Sequence, residues 1–128
     1  TLLKRPLKPH RGDTLTLVLN KLPIHEASAI FEGFVPESGL ATREISLGFI
    51  GIAPEKVRCP LLVVGASEDR LMSPGIQRKL ARKYSAEYLE FPCHGHALMV
   101  EQGWEKPIHQ ILAWLENHAS DPVPPAIQ

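Results

Sequence analysis

An α/β fold with parallel strands is predicted by three features of the sequence. Leu61, Leu62, Val63 and Val64 form a short, continuous apolar run ended by Gly65, the pattern of a strand buried on both faces in a parallel sheet. AEYLEFP, residues 86 to 92, reads as a second strand. Each run is followed by a loop and then by a segment with helical periodicity. Strand, helix, strand, helix in that order implies a right-handed βαβ unit.

Taken from the amino end, DTLTLVLN is ambiguous, because Leu15, Leu17 and Leu19 alternate as in a strand while Leu15, Val18, Leu19 and Leu22 suit a helix capped by Asp13. The helix is preferred. PIHEASAIFEGF places Ile24, Ala27, Ile30, Phe31 and Phe34 at helical spacing, and ESGLATREISLGFI predicts a further helix with Leu40 and Ile45 turned inward. In SPGIQRKLARKY, Ser73 is placed to cap, Pro74 occupies the first helical position, and Ile76, Leu80 and Tyr84 recur every fourth residue. KPIHQILAWLENH carries Ile108, Ile111, Leu112 and Leu115 on one stripe, with His118 near its end, where a cation suits the helix dipole. The tail ASDPVPPAIQ is expected to be extended or disordered.

Length and composition bound the function. A chain of 128 residues with 44% hydrophobic and 22% charged side chains suffices for one domain with a buried core. Fourteen basic and fourteen acidic residues cancel, so no excess charge steers the chain to nucleic acid or an anionic membrane. No apolar run approaches the roughly 20 residues of a membrane helix, and the amino end has neither a signal core nor an initiating methionine, as if the sequence began inside something larger. Two cysteines suit a reduced, cytoplasmic setting. Cys59 lies at the beginning of the first strand and Cys93 just past the end of the second, on the order of 15 Å apart at ~3.3 Å per residue, too far for a disulfide. Two free thiols are expected.

In open parallel sheets functional groups gather at the carboxyl ends of the strands. The loop GASEDRLMSP offers Glu68 and Asp69 there, and PCHGHALMVE offers His94 and His96. Adjacent strands lie ~4.8 Å apart, so a carboxylate on one loop can reach an imidazole on the next. An acid that orients a histidine base is two thirds of a nucleophilic triad.

The run from Val57 to His118 resembles the carboxyl-terminal part of an α/β-hydrolase of the esterase or lysophospholipase-like kind, over about half of the chain. The resemblance rests on Gly65, Asp69, Arg70, Leu71 and Pro74 in the acid loop, on the Gly95-His96 pair, and on Glu101, Gly103 and Trp104 ahead of the last helix. Val35 to Gly39, VPESG, is similar to part of the lid in such enzymes. It implies a partial α/β-hydrolase fold: a helical lid over residues 1–56, the carboxyl-terminal part of the core over 57–120, and a tail over 121–128. It further implies Asp69 as the acid and His96 as the base of a serine hydrolase acting on carboxylic esters, without a cofactor.

The family's nucleophile sits in G-x-S-x-G on a strand-to-helix turn. None of Ser28, Ser38, Ser46, Ser67, Ser73, Ser85 and Ser120 has glycine on both sides at that spacing. Ser67, flanked by Gly65 but also by Asp69, is the nearest approach. Other readings stay open: Glu68 as the orienting acid, Cys93 as a nucleophile served by His94 or His96, a metal on Cys93, His94 and His96, and His94 as a plain loop or pocket-wall residue. Arg70 reads as a loop anchor, Trp104 and Trp114 as packing residues, and Phe31, Phe34 and Met99 as core or acyl-pocket lining. The nucleophile strand is expected upstream of Thr1. Two parallel strands leave a sheet edge unpaired, which implies pairing with a second copy or with an amino-terminal half. Failing that, the chain is an inactive fragment serving as an assembly or binding module.

Overall fold

A computed structural model describes residues 5–48 and 51–119 of the chain. Residues 1–4, Phe49, Ile50 and the expected extended tail lie outside the described residues. The architecture is mixed α and β, around one two-stranded parallel sheet.

Strand β1, Leu62–Ala66, pairs with β2, Glu87–Phe91, in a register that sets Leu62 against Glu87 and Ala66 against Phe91. β-branched Val63 and Val64 suit the pleat. Helix α4, Pro74–Lys83, crosses between the strands and packs on both. Pro74 begins it without losing a hydrogen bond, because the first amides of a helix have no partner within it. Ser73 holds the N-cap position, but its side chain makes no capping bond. A helix faces a sheet with residues four apart, and here the buried pair is Gln77 and Ala81. Ile76 and Leu80 of the sequence stripe stay open to solvent.

The middle of α4 is braced to β2 through Arg78. The Tyr88 hydroxyl donates to Glu90 Oε2 at 2.7 Å, and Arg78 pairs with the same oxygen. Gly65 lies where a Cβ would collide with the Tyr88 hydroxyl and come 2.6 Å from Gln77 Oε1. Its missing side chain is what lets Tyr88 and Gln77 close over β1.

The last helix, α5, runs Glu105–His118 and buries Pro107 in its first turn. Trp114 Nε1 donates to Glu87 at 2.8 Å and its ring stacks on His118, which also approaches Glu87. Trp114 thus packs, as expected, yet through a polar handle. The core joins Ala66, Phe91 and Leu98, with Val64 and Leu89 against them.

The amino-terminal helices form a separate layer. Arg11–Asp13, α1, runs directly into a π-helical turn, Thr14–Val18, so DTLTLVLN is helical, although Asp13 lies within the coil instead of capping it. Helix α2, Ile24–Glu32, buries Ala27 and Phe31. Helix α3, Gly39–Ser46, starts at Ser38, whose hydroxyl accepts from the Ala41 amide. Leu40 and Ile45 are 39% and 69% exposed, not inward as predicted, because no described element packs on that face of α3. A bridge between Leu7 and Glu37 ties the first described residues to the approach to α3. This layer meets the sheet loops through Lys21 and Asn20, which bond Glu68.

Two further expectations, on the burial of β1 and of the α5 stripe, need correction. β1 is not buried on both faces: Leu62, Val63 and Val64 are half-buried, since a two-stranded sheet has no inner strand. The α5 stripe is likewise partly open, with Leu112 and Leu115 about half exposed. Among the described residues no helix is long and apolar enough to cross a membrane.

The unpaired edges and open apolar stripes are expected to bring a second chain onto the sheet. Light scattering at rising concentration should show a mass above 14.2 kDa; a monodisperse monomer with cooperative unfolding would count against this.

Burial pushes the Tyr88 phenol up to about 12, helped by its bond to Glu90 and opposed by Arg78. The folded value lies above the ordinary 10.0, so the stability contributed is whole below pH 10.0 and is lost as pH rises through about 12. In a Tyr84→Phe variant, where Tyr88 is the remaining tyrosine, tyrosinate absorbance should appear near pH 12. Appearance near pH 10 would contradict the brace.

Candidate active site

Asp69 stands three residues beyond the end of β1 and His96 five beyond the end of β2. Parallel pairing puts both ends on one side of the sheet, so the two loops share an edge. The ladder continues past the strands: Ser67 N–H donates to Phe91 O at 3.0 Å and Glu68 N–H to His94 O at 2.9 Å. The Ser67 hydroxyl takes the Cys93 amide at 2.9 Å, steadying Cys93 in a left-handed conformation with φ 65°. The loops are therefore laced together before any chemistry-bearing side chain is considered.

That lacing delivers His96 to Asp69. His96 Nδ1 lies 3.0 Å from Asp69 Oδ2. A carboxylate only accepts, so Nδ1 carries the proton and Nε2 presents its lone pair. Among the described residues Nε2 has no hydrogen-bond partner. The imidazole is one third exposed, at 33%, while the Asp69 side chain is 4% exposed.

Burying a carboxylate costs several kcal/mol unless donors replace its water. Asp69 Oδ1 accepts from the amides of Leu71 and Met72 at 2.9 and 2.8 Å, and Oδ2 accepts from Gln77 Nε2 at 3.0 Å as well as from His96. Both oxygens are thus satisfied by a turn of their own loop, by α4 and by the histidine. Gln77 belongs to the site and was missed from the sequence, where it reads as one polar residue of an amphipathic helix.

A cavity of about 230 Å³ opens at this point, lined by Asp69, His96, Gly65, Leu98, Met99 and Ile111 among others. It is apolar apart from the dyad and Gln77. Met99 therefore lines the candidate site, whereas Phe31 and Phe34 pack on each other in the amino-terminal layer. A larger cavity of about 770 Å³, lined by Lys21, Glu68, Arg70, Glu101 and Trp104, does not reach His96. Trp104 is 42% exposed there, so it is not the packing residue the sequence suggested. Arg70 makes no side-chain bond that would anchor its loop among the described residues.

The other sequence readings can be placed. Glu68 pairs with Lys21 at 2.8 Å, a contact that raises the Lys21 pKa; of the two acids it is Asp69 that bonds His96. His94 does not line either cavity: its Nδ1 bonds Glu101 at 3.1 Å. Cys59 and Cys93 are free and exposed. Among the described residues no three His, Cys, Asp or Glu converge as a metal site. Ser67 spends its oxygen on Cys93, not on His96.

No family model, curated protein or solved structure matches the chain. The functional reading rests on this geometry and on the sequence motifs.

Removing the Asp69 carboxyl would strand the Leu71 and Met72 amides, the Gln77 amide and the His96 Nδ1 proton together. Asp69→Ala is expected to cost about 3–5 kcal/mol, the range for breaking a buried charged cluster on one side. Urea unfolding would check this; a loss below ~1 kcal/mol would mean that solvent already serves these donors.

Proposed function

We propose that Asp69 and His96 are the acid and base of an α/β-hydrolase-type site for acyl transfer, acting on carboxylic esters. The single observation that carries the reading is the 3.0 Å bond between a buried carboxylate and an imidazole whose other nitrogen has no partner among the described residues. A packing histidine usually satisfies both ring nitrogens or buries them. This one presents a basic lone pair at the mouth of an apolar cavity.

The chemistry follows from those atoms. Nε2 takes the proton of an attacking hydroxyl as its oxygen forms a bond to the ester carbonyl carbon. The imidazolium is stabilised by Asp69, and Nε2 then returns the proton to the leaving alkoxide as the ester C–O bond breaks. Water, activated by the same nitrogen, releases the acid in the second half. The hydroxyl of the first half comes from outside the described residues, on a strand added beside the sheet. Leu98, Met99 and Ile111 give the cavity an apolar wall suited to an acyl chain. The preference for esters comes from the family resemblance.

A second reading is favoured by the engaged Ser67 and the open sheet edges: an assembly or binding module whose dyad is inherited and idle. Hydrolysis of p-nitrophenyl acetate by the 128-residue chain separates the two. On the first reading Nε2 activates water directly on this reactive ester even without the missing hydroxyl, so the rate exceeds buffer and His96→Ala returns it to the buffer value. Equal rates in both proteins would leave the binding module.

A further inference from the structure

Glu101 is the most deeply buried carboxylate among the described residues, at 2% exposure, and the acyl-transfer reading gives it no part. Its Oε2 accepts the Gly95 amide at 2.8 Å and the His94 ring proton at 3.1 Å. Oε1 has no donor among the described residues and packs against Gly95. A charge this buried and satisfied on one oxygen alone costs stability.

What it holds is the peptide that leads into His96. Gly95 is enclosed: a Cβ there would come 2.6 Å from Asn20 Oδ1, 2.8 Å from Lys21 Cγ and 3.0 Å from Glu101 Oε1. Its amide is fixed by Glu101, while the carbonyl of His94 is fixed by the Glu68 amide at 2.9 Å. The Gly95 amide and the His94 carbonyl belong to one peptide unit, so that plane is held from both sides. The next α-carbon but one along the chain carries the imidazole whose Nδ1 must stay within 3.0 Å of Asp69.

We propose that Glu101 is a positioning residue for His96: its carboxylate, gripping the Gly95 amide, sets the direction in which the His96 ring leaves the loop. The inference rests on His96 being the base, and it assigns Glu101 no contact with substrate. It also explains the pairing of His94 with Glu101, since a second charge-assisted donor on the same oxygen helps to offset the buried charge. Two imidazole–carboxylate pairs therefore alternate along one loop. The His96–Asp69 pair faces the cavity, and the His94–Glu101 pair fixes the backbone beneath it.

The test reads the His96 ring directly in the full 128-residue chain, by proton NMR with nitrogen-labelled histidine. The Nδ1 proton held by Asp69 is identified by its loss in His96→Gln. In Glu101→Ala this signal is expected to move upfield, and its exchange with solvent to quicken on the order of tenfold, as for loss of a hydrogen bond to a charged acceptor. The amide signals of β1 and β2 should stay in place. A folded Glu101→Ala protein with unchanged position and exchange of the His96 proton overturns the proposal. If that variant does not fold, Glu101→Met decides: it keeps the bulk but removes the acceptor of the Gly95 amide, and an unchanged His96 proton there is equally fatal. The measurement is independent of turnover. An inactive chain whose His96 proton responds to Glu101 would count against the hydrolase reading alone, and an active chain whose proton does not respond would count against the positioning role alone.

Discussion

The Asp69 carboxylate is the group on which the site's construction depends, because a buried charge imposes conditions on every neighbour. Water has to be replaced on both oxygens or the charge is too costly to bury. The chain meets this by folding the acid loop back so that Leu71 and Met72 donate to Oδ1, and by starting α4 where Gln77 can reach Oδ2. Turn, helix start and helix face are thereby fixed to a single side chain. His96 completes the shell. Its orientation is then a consequence of electrostatic need, which is the condition a general base requires: one nitrogen committed and the other free.

The second constraint is that the histidine loop must not drift while its ring is held. A hydrogen bond between two side chains at loop tips is worth about a kcal/mol, too little to order a loop whose backbone entropy costs about as much per residue. The backbone supplies the remainder. Ser67 and Glu68 lace the acid loop to residues 91–94, and Glu101 closes the other side at Gly95. Side-chain chemistry is exposed at the cavity, and the fastening is done behind it by backbone donors and a buried acid.

Much of this was legible in the sequence, for reasons that differ by element. The apolar run at Leu62–Ala66 and the Pro74 start of α4 are local signals that no tertiary contact overrides, and β2 and α5 fall within a residue or two of their expected places. Asp69 and His96 were placed together because parallel strands bring their carboxyl ends to one edge, which is a matter of topology. The parts of Gln77 and Glu101 have no such signal in the sequence. Each acts through one polar atom whose partner is remote or backbone, and sequence periodicity carries no trace of such a bond. The helices suggested for the amino-terminal layer exist, yet their inward faces were misjudged at Leu40 and Ile45, since periodicity tells which residues share a face and not whether anything covers it.

That difference separates the stability of the site from that of its scaffold. The donors and acceptors of the two imidazole–carboxylate pairs all come from residues between Glu68 and Glu101, a contiguous segment that contains α4, β2 and the loops that follow β1 and β2. Open apolar side chains lie within that segment, at Leu71, Met72, Ile76, Leu80, Met99 and Val100, and outside it, on α3 and on α5 at Leu112 and Leu115. Covering them would add burial at about 25 cal/mol per Å² of apolar surface without touching a bond in the dyad. A partner that completes the sheet therefore raises the free energy of unfolding, while the direction of His96 is already determined by its own loop. The geometry of the His96–Asp69 pair is local, and the persistence of the fold around it depends on what covers the rest.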